Sequence, residues 1–133
     1  MRWKSIFSPE RIDMKKKYLL PLILLSLVFS VLAQDEEGEV PAKPLQLTAT
    51  AEYEGSDTIA HLRWRDMSDN ELGFEIYRTQ GTEDFEMVGR VGADTDNYKD
   101  VVGQYVSGAY TYKVQPFNQY GKGEESNAYT VWF

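Results

Sequence analysis

The sequence predicts an all-β protein, two antiparallel sheets packed as a sandwich of seven strands. Three observations carry that expectation. Apolar residues recur at a period of two in short pieces, turn-forming residues separate the pieces, and no stretch shows the 3.6-residue apolar spacing of an amphipathic helix. The most informative piece is residues 64–78. An apolar alternation of Ala60, Leu62 and Trp64 passes through Asp66, Ser68 and Asn70 into a second alternation, Phe74 and Ile76, that begins after Gly73.

The strands are expected at residues 45–50, 58–64, 74–79, 85–91, 95–99, 110–117 and 127–133. Glu54-Gly55-Ser56-Asp57 turns the first into the second, Gln80-Gly81-Thr82 turns the third into the fourth, and residues 118–123 turn into the last. Leu62 and Trp64 share one face of the second strand. Burying a side chain the size of Leu62 contributes roughly 1.5–3 kcal/mol, so these are core residues rather than a sugar platform. Tyr110, Tyr112 and Val114 likewise share one face of the longest alternation. Seven strands at this spacing make two stacked sheets.

Two segments precede the domain. Lys15, Lys16 and Lys17 are followed by an apolar run from Tyr18 to Leu32, then Ala33 and the acidic Gln34-Asp35-Glu36-Glu37, the layout of a secretory signal peptide at residues 1–33. The run contains Pro21 and is shorter than the about 20 apolar residues of a membrane-spanning helix, so the membrane is a partner only if this segment is retained as an anchor. Met14, directly before the lysines, reads as the true start. Residues 34–43 are acidic, hold Gly38 and Pro41 and lack apolar periodicity, and are expected to form a flexible tether to a domain at 44–133.

With these residues in view the chain resembles the fibronectin type III family, and so an immunoglobulin-like β-sandwich of the fibronectin type III type. The resemblance rests on Pro44 before the first strand, Leu62 with Trp64, Phe74 with Ile76, Tyr98 with Asp100, Tyr110 with Tyr112 and Val114, then Asn118 and Gly121. It implies that Tyr110 is the tyrosine-corner residue, its hydroxyl bonding backbone around residues 106–108. Two departures stand out. Pro116 is expected to end strand pairing where it sits, and no Arg-Gly-Asp motif is present. Immunoglobulin domains proper differ in having their tryptophan on the third strand beside a cysteine pair.

Composition excludes several functions. Residues 34–133 carry 8 Lys and Arg against 19 Asp and Glu, a formal charge of −11 that repels nucleic acid. There is no cysteine, so there is no disulfide, thiol nucleophile or Cys-based zinc site. His61, the single histidine, alternates to the outer face opposite Leu62 and Trp64, which leaves no parts for a nucleophile triad. Asp66, Ser68 and Asn70 begin like a calcium-binding EF-hand loop, but Glu71 stands where that loop demands Gly and Tyr77 where it demands a bidentate Glu. The chain is therefore expected to be no enzyme, with no catalytic residue, cofactor or metal.

The expected function is a secreted or extracellular protein-interaction or adhesion module, periplasmic if the source has two membranes. Its binding surface is placed on the loops at one end of the sandwich, through Asp66, Ser68, Asp69, Asn70, Glu71, Asn118, Gln119 and Tyr120. The expected partner is another extracellular or cell-surface protein. A carbohydrate-binding or cell-wall accessory domain is the alternative, with a polysaccharide stacked on Tyr77, Phe85, Tyr105 or Tyr120.

Overall fold

Among the described residues, alternating and β-branched side chains form eight antiparallel strands: β1 (Leu45–Glu54), β2 (Asp57–Arg65), β3 (Gly73–Gln80), β4 (Glu86–Gly92), β5 (Asn97–Gln104), β6 (Ala109–Asn118), β7 (Gly121–Lys122) and β8 (Tyr129–Trp132). One sheet has the order β1-β2-β5; in the other, β4-β3-β6 is flanked by β7 and β8, which pair with opposite ends of β6. This computed structural model describes residues 37–133. The expected signal peptide and residues 34–36 lie outside the described residues.

The two-sheet, all-β architecture agrees with the sequence, and seven strands are counted if β7 and β8 are taken as one interrupted edge strand. The core lies between the sheets. Leu47, Leu62 and Trp64 of the first sheet meet Phe74, Ile76, Tyr112 and Val114 of the second, all nearly or fully excluded from solvent. The Trp64 and Phe74 rings tilt against each other with centroids 5.5 Å apart.

Pro116 does not stop β6. It pairs with Phe74 of β3, and its carbonyl accepts the Gly123 N–H at 2.9 Å on the other side. In an antiparallel ladder a residue's N–H and C=O point to the same neighbour. The N–H that proline lacks therefore faces the edge, and the β3 ladder loses nothing. The cost falls on the edge strand, which breaks between β7 and β8. Ser126 fills part of the gap: its N–H donates to the Val114 carbonyl at 2.8 Å, and its Oγ accepts the Val114 N–H at 2.9 Å. Asn127 does the same on the opposite sheet, accepting the Leu47 N–H at 2.9 Å and donating to the Leu47 carbonyl at 3.0 Å.

The tyrosine that ties the sheets is Tyr112, not Tyr110. Tyr112 Oη donates to Asp100 Oδ2 at 2.8 Å, and Arg78 Nη1 reaches the same oxygen at 2.7 Å. Tyr110 packs edge-on against Phe133 instead, with the Arg78 guanidinium 5.8 Å from its ring centre. The backbone turn expected to be held by Tyr110 is held by Thr58, whose Oγ1 accepts the Val106 N–H at 3.2 Å. Tyr98 adds a second tie, donating to the Val88 carbonyl at 3.1 Å.

Candidate functional site

β2 delivers Asp66 to one end of the sandwich, and the loop that follows folds back on it. Asp66 Oδ1 accepts the Ser68 N–H at 3.0 Å and the Ser68 hydroxyl at 3.2 Å, an Asx-type turn that starts the loop. Leu72 N–H donates to the Phe117 carbonyl at 2.8 Å, which returns the chain to the second sheet as β3 begins. Between these anchors Glu71 turns inward. It is 7% exposed, although an acidic side chain in a polar loop was expected at the surface.

Glu71 is buried because the β4–β5 turn covers it. Its Oε1 accepts the Asp94 N–H at 2.9 Å, and Asp94 adopts a positive φ of 57°, a conformation that aspartate tolerates better than most residues. Asp66, Glu71 and Asp94 thereby each place a carboxylate oxygen within 4.8 Å of the others. Burial pushes the Asp66 carboxyl up, and the Glu71 charge adds to the shift. Burial alone would raise Glu71 too, but the N–H groups of Asp94 and of Glu71 itself, with the Ser68 hydroxyl, outweigh it and hold that carboxyl below its usual range. Beside the cluster lies an open hollow of about 480 Å³ whose walls include Gln46, Arg65, Trp64 and Asp96.

A second group of expected residues meets at the same end. Asn118, 8% exposed and so another correction to a free-loop reading, donates its Nδ2 to the Glu39 carbonyl at 2.8 Å and to the Asn70 carbonyl at 3.2 Å. Asn70 Nδ2 reaches the same Glu39 carbonyl at 3.0 Å, and Asn118 Oδ1 accepts the Tyr120 N–H at 2.9 Å. The 66–72 loop and the β6–β7 turn are thus joined through the segment before β1. Pro41 of that segment is buried and the Glu39 carbonyl is held by two amides, so residues 39–41 rest on the domain rather than hanging free as a tether. Asp69 and Gln119 face solvent, as do Met67, Leu72 and Tyr120, at 42%, 56% and 41% exposure. The apolar Met67 and Leu72 in this acidic surround were missed, because single apolar residues in a loop carry no period.

The aromatics proposed as a sugar platform are scattered. Tyr77 Oη is engaged by Glu75 at 2.5 Å and by Lys122 at 2.9 Å, and Lys113 Nζ sits 4.5 Å from the Phe85 ring centre. Tyr105 is 85% exposed but lies at the opposite end from Tyr120, where its N–H donates to the Ser56 carbonyl. His61 pairs with Glu52 on the outer face of β2, in register with Thr50 of β1 and Lys99 of β5.

No protein-family profile and no curated protein matches the chain. Solved structures do. Titin domains A168–A170 align at 19% identity and a TM-score of 0.58, covering 71% of this chain and 32% of that one. A Fn3-like protein from Clostridium thermocellum aligns at 19% identity and a TM-score of 0.54, covering 69% and 92%. A β-1,2-glucanase from Parabacteroides distasonis aligns at 18% identity and a TM-score of 0.58, covering 71% and 13%. The chain thus spans about a third of the titin fragment and a small part of the glucanase. At these identities the likeness establishes the fold, and that fold is fibronectin type III-like.

Proposed function

We propose that this domain is a non-enzymatic, protein-binding module that acts outside the cytoplasm and engages its partner through the loop end built by residues 66–72, 93–96 and 118–121. The observation that supports this reading best is the exposure of Met67, Leu72 and Tyr120 on loops that hydrogen bonds hold rigid, within an acidic border of Asp69, Asp94 and Asp96. A few apolar anchors inside a polar rim are the anatomy of a protein interface, and prior rigidity lowers the entropy lost on binding. The fitting partner presents an apolar pocket with basic surroundings. Export is part of the proposal, with cleavage after Ala33 leaving Gln34 as the N-terminus; mass spectrometry of the secreted product tests it, and recovery of intact residues 18–32 in membranes refutes it.

A polysaccharide-binding accessory role is the second reading. It draws support from the alignment to part of a β-1,2-glucanase and from the exposed Tyr105. Cross-linking of the exported protein on intact producing cells, followed by peptide mapping, separates the two. Cross-links that map to residues 66–72 and 118–121 and vanish in a Met67→Ala, Leu72→Ala, Tyr120→Ala triple variant support the protein module. Saturable binding to soluble glycans that is lost in Tyr105→Ala instead supports the accessory role, and turnover by the purified domain refutes both.

A further inference from the structure

Asp66, Glu71 and Asp94 come from two different loops, and among the described residues no Lys or Arg forms an ion pair with any of them. Bringing like charges together in a partly buried place is costly unless something positive joins them. A second observation points to what is missing. Glu71 is more than nine-tenths buried, one of its oxygens is satisfied by the Asp94 N–H, and the other, Oε2, is shut off from solvent without a hydrogen bond, the nearby Ser68 hydroxyl being given to Asp66. A buried carboxylate oxygen without a donor is rare and calls for a ligand.

The geometry points to a calcium ion bound among the Asp66, Glu71 and Asp94 carboxylates, bridging the 66–72 loop to the β4–β5 turn. Ca²⁺ takes its oxygen ligands at roughly 2.3–2.6 Å in a flexible geometry, which suits carboxylates gathered from two loops and left partly open to water. Mg²⁺, with ligands at about 2.0–2.1 Å, demands a near-ideal octahedron and gives up its water reluctantly, so an irregular three-carboxylate set suits it less. Three carboxylates supply part of the six to eight oxygens that Ca²⁺ takes, and water completes the shell on the exposed Asp94 side. So few protein ligands on an open surface place the affinity near the roughly 10⁻⁴–10⁻³ M of extracellular calcium modules. The site does not follow the EF-hand spacing. Asn70, which that spacing would recruit, turns to Glu39 instead, and Asp94 comes from 23 residues beyond Glu71. The inference concerns the ion alone and stands whatever partner the loop end engages.

The test is a titration of the full exported chain with CaCl₂ and, separately, MgCl₂ at constant ionic strength, read by backbone NMR and by thermal unfolding. The expected result is saturable movement of the amides of residues 66–73 and 93–96 with a midpoint between about 0.1 and 1 mM Ca²⁺, and a weaker response to Mg²⁺. Terbium, a calcium surrogate, should luminesce on excitation of Trp64, which lines the same hollow. Asp94→Asn keeps the backbone N–H that Glu71 uses and tolerates the positive φ, so it should fold and weaken Ca²⁺ by about tenfold or more. Glu71→Gln should do the same, and Asp84→Asn, in the exposed β3–β4 turn away from the cluster, should leave the Ca²⁺ midpoint unchanged. Absence of a saturable response at about 10 mM Ca²⁺, or a response indifferent to Asp94→Asn and Glu71→Gln, overturns the assignment. Stabilisation of the ion-free protein on mild acidification without any Ca²⁺ response also overturns it, since a shared proton would then be what joins Asp66 to Glu71.

Discussion

Tyr112 donates its hydroxyl to Asp100 across the interior, and the 2.8 Å bond joins β6 of one sheet to β5 of the other. Tyr112 is fully buried and Asp100 nearly so, so neither group can turn to water for a replacement partner. Burial, and then the Asp100 charge, push the Tyr112 hydroxyl far above its ordinary titration range, which keeps it a donor at every accessible pH.

Tyr112→Phe keeps the ring and leaves Asp100 with Arg78 alone. A loss of about 1–3 kcal/mol is expected by urea titration. Tyr110→Phe should cost much less, because its contacts to Phe133 and Arg78 are made by the ring. Equal losses in the two variants would show that Asp100 does not depend on Tyr112.

That contrast marks what was legible in the sequence. Period-two alternation put Leu62, Trp64, Phe74, Ile76, Tyr112 and Val114 in the core, where they are. It also put Tyr110 and Tyr112 on one face, but which hydroxyl meets a partner depends on Asp100, which arrives from another sheet. The end of β1 was missed for a related reason: residues 51–54 are all exposed, and the Glu52–His61 and Glu54–Lys99 pairs that reach the neighbouring strands depend on where β2 and β5 lie. At the candidate site the co-location of residues 66–73 and 118–123 was legible, because sandwich topology brings those loops to one end. The inward turn of Glu71 was not, since only the covering β4–β5 turn makes that loop position an interior one.

Glu75 provides an acid-sensitive contribution to stability. On the outer face of β3 it is only 2% exposed, covered by Lys122 at 2.5 Å, Tyr77 and Arg90. Burial opposes its charge, but the Lys122, Tyr77 and Arg90 contacts outweigh burial and lower its carboxyl to about 2. Because the folded value lies below the unfolded one, the contribution is complete above about pH 4.5 and disappears as pH falls toward 2. Its size is on the order of 2 kcal/mol, discounted because Lys122 and Arg90 are half in water. Glu75→Gln should flatten stability between pH 4.5 and 2 relative to the parent. An unchanged acid slope in urea melts would assign the sensitivity elsewhere.

Ser126 substitutes a side chain for a missing strand. Its Oγ accepts the buried Val114 N–H at 2.9 Å and donates to the Asn127 carbonyl at 2.9 Å. Ser126→Ala leaves the Val114 N–H without an acceptor and should destabilise by about 1–3 kcal/mol. Hydrogen exchange at the Val114 amide should accelerate by more than the global loss explains, because the edge between β7 and β8 can open by itself. Exchange that tracks global unfolding alone would count against a local role.

Asn118 is the hub of the loop end. Its amide holds the Glu39 and Asn70 carbonyls, and its Oδ1 takes the Tyr120 N–H, so one side chain fixes the N-terminal segment, the 66–72 loop and the β6–β7 turn together. Asn118→Ala removes all three bonds from a residue that is 8% exposed, and about 1–3 kcal/mol of lost stability is expected. The more specific consequence is local. Residues 38–41 would lose their main polar anchor, leaving Asn70 as a single exposed donor to Glu39. Limited proteolysis should then cut between residues 38 and 43 well below the denaturant concentration that unfolds the domain, while the parent resists cutting there. Asn70→Ala, which removes the weaker exposed contact, should show little of this effect. If both variants are cut as slowly as the parent, Pro41 packing rather than Asn118 holds the segment.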